Sequence, residues 1–228
     1  MKLKTKNNII TMLFVIYFIN AIIEVVAESV SSKFLIYITK PLIPSILMVL
    51  YFYNSSKKDL IFFSAMFFLL VTNLLFIPSG EKYLFWGVIS FTIHRILLLI
   101  LIFKIVKIKD YIPFCLATLP LGFIFFYLFA ATDVPENSYY LIIFINLLAS
   151  ILGGVAISNY VMNDNIQNSL LLISVLLFLG LQLVVYIEKY YLIDFHSVLL
   201  RPLAMTLNIL AFFSFYKFVI SSEKLNAD

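Results

Sequence analysis

The chain has 228 residues, 63% of them hydrophobic and only 12% charged, with a formal net charge of +4. A soluble domain carries about 45–50% apolar and about 25% charged residues, so this chain lacks the charge to cover a water-facing surface. With a mean hydropathy of +1.07, that balance excludes a secreted, cytosolic or nucleic-acid-binding protein and makes lipid the principal solvent.

Apolar runs of about 18 residues or more, bounded by charge, Pro or Asn/Ser clusters, occur at about 9–28, 34–53, 60–77, 83–106, 111–131, 139–161, 168–190 and 195–219. The connectors are short and polar, as at 54–59 and 132–138, so sequential neighbours are antiparallel. The runs lack the period-2 alternation of barrel strands. The sequence therefore predicts an all-α polytopic membrane protein, one domain of eight transmembrane helices. Lys2, Lys4, Lys6, Lys57, Lys58, Lys104, Lys107, Lys109, Lys217 and Lys224 fall on one side, against Lys33, Lys82 and Lys189 on the other. The positive-inside rule then puts both termini in the cytoplasm, as an even span count also requires. A signal peptide is the alternative for the first run, with Lys2, Lys4 and Lys6 as its basic region. Removing that run would leave an odd span count and strand the charge pattern. The single cysteine, Cys115, excludes an internal disulfide framework and a cysteine-based metal site, and reads as a packing residue.

An ionisable group inside a span costs about 2.5–3.5 kcal/mol on insertion scales, so each is a functional candidate. With the termini inside, these groups concentrate in the outer half. Glu24 and Glu28 close span one, Lys40 lies early in span two and Asn73 late in span three. His94 and Arg95 sit near mid-depth in span four, and Asn146 early in span six. Gln182 and Glu188 end span seven, and His196, Arg201 and Asn208 open span eight. The cytoplasmic half shows almost no equivalent. The expectation is a polar cavity near the outer leaflet in which Lys40, Arg95 and Arg201 are paired by Glu24, Glu28 or Glu188, or converge on a phosphate. Snorkelling to the interface is the alternative for Lys40 and Arg201. His94 and His196 share no metal-type spacing, so no metal is assigned. Pro41 and Pro202 each follow a cation at the start of an even span, where they free a carbonyl or simply start the helix. Gly153 and Gly154 are expected to let two helices approach closely.

The stretch Ile38-Thr39-Lys40-Pro41-Leu42-Ile43-Pro44-Ser45-Ile46-Leu47, with Gly87-Val88-Ile89-Ser90-Phe91-Thr92-Ile93-His94 in span four, resembles the YhhN-like family of membrane proteins, which includes the lysoplasmalogenases. The resemblance implies an eight-span bundle that hydrolyses the vinyl-ether bond of lysophospholipids, in the bacterial inner membrane, without a cofactor. Vinyl-ether cleavage requires protonation of an alkene carbon and attack by water, work suited to carboxylic acids. By position, the two family aspartates fall on Asn73 and Gln182. Both are amides here, and an amide cannot deliver a proton at neutral pH. Glu24 and Glu188 are the nearest substitute acids, with His94 beside them as a catalytic candidate. Lys40, Arg95, Arg201, Asn146 and Asn208 are the candidates for binding substrate. Two further readings stay open: a non-catalytic member that binds a lipid or amphiphile as sensor, carrier or assembly partner, and a small transporter.

Overall fold

The computed structural model describes residues 2–78, 80–132, 136–188 and 199–225. Among the described residues eight α-helices follow one another: α1 Lys2–Ser29, α2 Lys33–Asn54, α3 Leu60–Leu75, α4 Glu81–Ile105, α5 Tyr111–Ala130, α6 Tyr139–Met162, α7 Ile166–Tyr186 and α8 Leu200–Leu225. A 3-10 turn, Glu136–Ser138, leads into α6. Seven of the eight are long and apolar enough to cross a membrane, and the protein is an all-helical, multi-pass membrane protein.

The connectors set the helix ends. Asp59, Asp110 and Asn165 each accept a backbone N–H of the following first turn, from Ile61, Ile112 and Asn168 respectively. Such caps satisfy donors that a helix start leaves orphaned. α3 is shorter than the expected 60–77. Ile77 precedes Pro78, which disfavours helical backbone there, so the helix stops ahead of it. Its 16 residues rise about 24 Å, short of the roughly 30 Å hydrocarbon core. α8 runs further than the expected 195–219, to Leu225, while residues 195–198 lie outside the described ones.

Each helix packs on its sequence neighbour in the hairpins α1/α2, α3/α4, α5/α6 and α7/α8. In addition α8 lies against α1 and α2, and α6 against α4 and α7. The α2/α3 register is fixed at both ends: Tyr51 stacks on Phe62 at 4.0 Å between ring centroids, and Asn73 reaches the Lys40 carbonyl. The core is aromatic, with Tyr17, Phe178, Phe212, Phe215 and Tyr216 fully buried. A Cβ on Gly154 would lie 3.2 Å from the Phe114 carbonyl and inside the Thr118 side chain, so the two glycines do permit close approach of α5 to α6. Cys115 corrects an expectation: it is exposed, not packed. α5 seats itself on α6 and turns Ile112, Leu116, Leu119 and Phe123 outward with it.

Candidate functional site

The outer ends of α1, α2 and α3 share one polar network. Pro44 has no N–H, so the carbonyl of Lys40, one turn earlier, loses its helical donor. The Asn73 side-chain amide fills that place at 3.1 Å. Asn20 on α1 donates to the Thr39 carbonyl at 2.9 Å, and the Thr39 hydroxyl bonds the Glu24 carboxyl. Lys40 Nζ pairs with Glu28 Oε1 at 2.7 Å, with both side chains buried. Lys40 is therefore held inward by a partner and does not snorkel. Glu24 is fully buried, and its second oxygen has no partner.

A second constellation lies deeper, where α4 meets α3, α7 and α8. His94 Nδ1 is 2.7 Å from the carbonyl of Ala65. A carbonyl only accepts, so Nδ1 carries the hydrogen, and in the neutral ring Nε2 is then an acceptor, buried without a partner. The ring stands against Phe91 and Phe212. Arg95, 2% exposed, is among the largest fully buried side chains of the protein. Its guanidinium carbon lies 4.8 Å from the ring centroids of both Phe91 and Phe178. Aromatic faces attract a cation but accept no ordinary hydrogen bond. The Arg95 Nε is unpartnered, and no carboxylate pairs with Arg95 among the described residues.

One helical turn nearer the outer end is a layer of amides. Phe178 and Phe212 meet at 4.8 Å. Residues four apart share a helix face, so Gln182 and Asn208 stand at one level on α7 and α8, about 6 Å above those rings. Gln182 donates to the Asn146 oxygen at 2.7 Å, while the Asn146 nitrogen and the Gln182 oxygen remain without partners. Asn208 is buried.

The three intramembrane cations do not converge. Ala65, which meets His94, is eight residues along α3 from Asn73, so the Arg95 layer lies about 12 Å from the Lys40 network. Arg201 pairs with Glu188 at 2.7 Å, and its side chain is 62% exposed, which makes it a rim residue. The expected single outer cavity thus resolves into separate places. Pro202, in the first turn of α8, is a helix start, whereas Pro44 opens a backbone position that another helix fills. His196 lies outside the described residues.

The apparent emptiness of the opposite half, which the lysine distribution assigns to the cytoplasmic side, is also corrected. Glu223, near the end of α8, is buried and accepts from the Tyr51 hydroxyl at 2.6 Å, from Ser55 at 2.9 and 2.8 Å, and from the Ser56 N–H at 3.0 Å. Asn54 bonds Tyr216, and Gln167 bonds Ser222. Beside them is a cleft of about 90 Å³ bordered by Lys57, Asp59, Lys104 and Glu223. Partial burial pushes the Asp59 carboxyl up, but the Lys104 ammonium at 2.6 Å and the Ile61 N–H outweigh it and hold the group below its usual range. Sequence reasoning missed Glu223 because Ser221-Ser222-Glu223-Lys224 reads as a solvated helix end. The available signal was Tyr51-Phe52-Tyr53-Asn54-Ser55, a polar helix end in need of an acceptor.

Among the described residues, the buried side-chain atoms without a hydrogen-bond partner are Glu24 Oε1, His94 Nε2, Arg95 Nε, Asn146 Nδ2 and Gln182 Oε1. Four of the five lie on α4, α6 and α7, around or one turn from Arg95. Native interiors leave few such atoms, so their gathering in one region marks the candidate site. No family model matches the chain, and no curated protein or solved structure shows significant similarity to it.

Proposed function

We propose that this membrane protein binds a single-chain anionic amphiphile between α4, α6 and α7 and does not cleave it. The observation that carries the reading is Arg95: a permanent charge inside the bundle, flanked by Phe91 and Phe178 and without a carboxylate partner among the described residues. Arginine keeps its proton in proteins, so this charge calls for an anion. The alkyl part of an amphiphile suits the aromatic walls. The amides at 73 and 182 argue against acid catalysis, since both make interhelical hydrogen bonds and neither offers a proton. Membership of the YhhN-like family and residence in a bacterial inner membrane belong to this proposal, and rest on the Thr39-Lys40-Pro41-Leu42 and Gly87 to His94 stretches and on the lysine distribution. A membrane lipid or lysophospholipid is the partner class they imply.

The test is thermal unfolding of the full chain in non-ionic detergent, with and without lysophospholipid or another single-chain anionic amphiphile. A ligand at about 100 times its Kd stabilises by about 2.7 kcal/mol, a shift of several degrees. Absence of a saturable shift with every anionic amphiphile tried sinks the reading. One observation favours hydrolysis as a second reading: Glu24 is a buried carboxyl with a free oxygen. Its assay is aldehyde release from lysoplasmalogen. Release abolished by Glu24→Gln would support it, and no release would remove it.

A further inference from the structure

We infer, building on the amphiphile-binding reading, that the anionic group held by Arg95 is a terminal carboxylate, making the ligand a long-chain fatty acid and not a phospholipid. Charge stoichiometry is the first argument. Arg95 supplies one positive charge, while Lys40 and Arg201 are engaged by Glu28 and Glu188, the former about 12 Å away along α3. A carboxylate neutralises one cation. A phosphate monoester carries about −1.5 to −2 and would leave excess negative charge in the bundle.

The second argument is the donor set. The His94 Nδ1 hydrogen is committed to Ala65, so in its neutral form the ring turns an acceptor to its other side and adds no donor for a third oxygen. With Phe91 and Phe178 flanking the guanidinium, its N–H edge is what remains to bind with. That edge is a planar fork, matched by the two coplanar oxygens of a carboxylate.

The third is the second substituent. A phosphodiester is also a monoanion, but it carries a polar head group on its far side. The side chains packed around Arg95 and His94 are the apolar rings of Phe91, Phe178 and Phe212. A carboxylate ends its molecule, and its one substituent is an alkyl chain.

The experiment uses the full chain in non-ionic detergent with hexadecanoic acid labelled with 13C at the carboxyl carbon. Hexadecanol and lysophosphatidylglycerol, a single-chain phosphodiester monoanion, serve as comparison ligands. Hexadecanoic acid is expected to bind saturably, one per chain, with hexadecanol weaker by about tenfold or more. Arg95→Gln and Arg95→Lys should both weaken it, the second because charge remains but the fork is lost, whereas Arg201→Gln at the exposed rim should leave it within about twofold. A readout on the unmutated protein guards against misfolded variants: the bound carboxyl carbon should keep its ionised chemical shift at pH values where the same acid in empty micelles protonates. A bound carboxyl that titrates as in micelles, equal binding of hexadecanol, or full binding by Arg95→Lys would overturn the inference. Arg95-dependent binding of lysophosphatidylglycerol without binding of the fatty acid overturns the carboxylate assignment and leaves the amphiphile reading standing. If neither binds, both fall.

Discussion

Replacing Asn73 with Leu tests whether the amide in α3 is a structural substitute for a missing backbone donor. The Lys40 carbonyl lacks its helical partner because residue 44 is proline, and the Asn73 amide supplies one at 3.1 Å. Losing it orphans a buried carbonyl, a cost of about 1–3 kcal/mol in general. Interhelical hydrogen bonds in membranes average about 0.6 and reach about 1.7 kcal/mol. The two ranges together predict a loss of about 1–2 kcal/mol for Asn73→Leu. The decisive comparison is the same substitution in a Pro44→Ala background, where residue 44 regains an N–H aimed at that carbonyl. There the cost should shrink by about 1 kcal/mol, beyond the roughly 0.3–0.5 kcal/mol within which independent sites add. Reversible unfolding of the four proteins by SDS in mixed micelles measures the cycle. Equal costs of Asn73→Leu in both backgrounds would refute the account, leaving Asn73 as a residue placed there for another purpose.

Glu223→Ala should destabilise the bundle by about 2–4 kcal/mol in the same assay, because the Tyr51 and Ser55 hydroxyls and the Ser56 N–H all lose their acceptor. Gly154→Leu should loosen α5 from α6 at a cost of about 1–3 kcal/mol or more, seen as faster proteolysis around Tyr111, since its side chain must displace Thr118 and the Phe114 carbonyl. Asp59 gives a pH dependence. Its folded carboxyl sits below the unfolded value, so its contribution is present above about pH 4 and is lost as pH falls through the lower, folded value. Lys104→Met should flatten that acid limb, as stability measured against pH would record.

Much of the bundle was legible because lipid imposes so few solutions. A continuous apolar run longer than the membrane is thick has to be a helix, whereas the caps at Asp59, Asp110 and Asn165 that fix three helix starts emerge only in the structure. The site was legible residue by residue: Glu24, His94, Arg95, Asn146 and Gln182 all stand out as polar letters in apolar runs, and all keep an unpartnered atom. Their grouping was not. Depth along a helix can be counted, but facing cannot be read without the neighbours, so Lys40, Arg95 and Arg201 looked like one cluster and occupy three places. Glu223 was hidden for the opposite reason. Near a chain end, among serines and a lysine, nothing local distinguishes a solvated glutamate from one that another helix has claimed.

The reach of α8 also bears on how the protein is made. Tyr17 on α1 donates to the carbonyl of Ile209, 192 positions later, and Tyr51 waits for a carboxylate 172 positions away. At a synthesis rate of about 5–20 residues per second, the first two helices spend on the order of ten seconds or more in the bilayer before those partners exist. For that interval they rest on each other, on the helices that have already followed them and on lipid, with hydroxyls exposed that the finished bundle encloses. Closure therefore waits for α8, and a nascent chain halted before it is a hazard of a specific kind. Its α1 and α2 are anchored in the membrane with the surface that α8 covers left open, in the form that membrane quality control is suited to recognise.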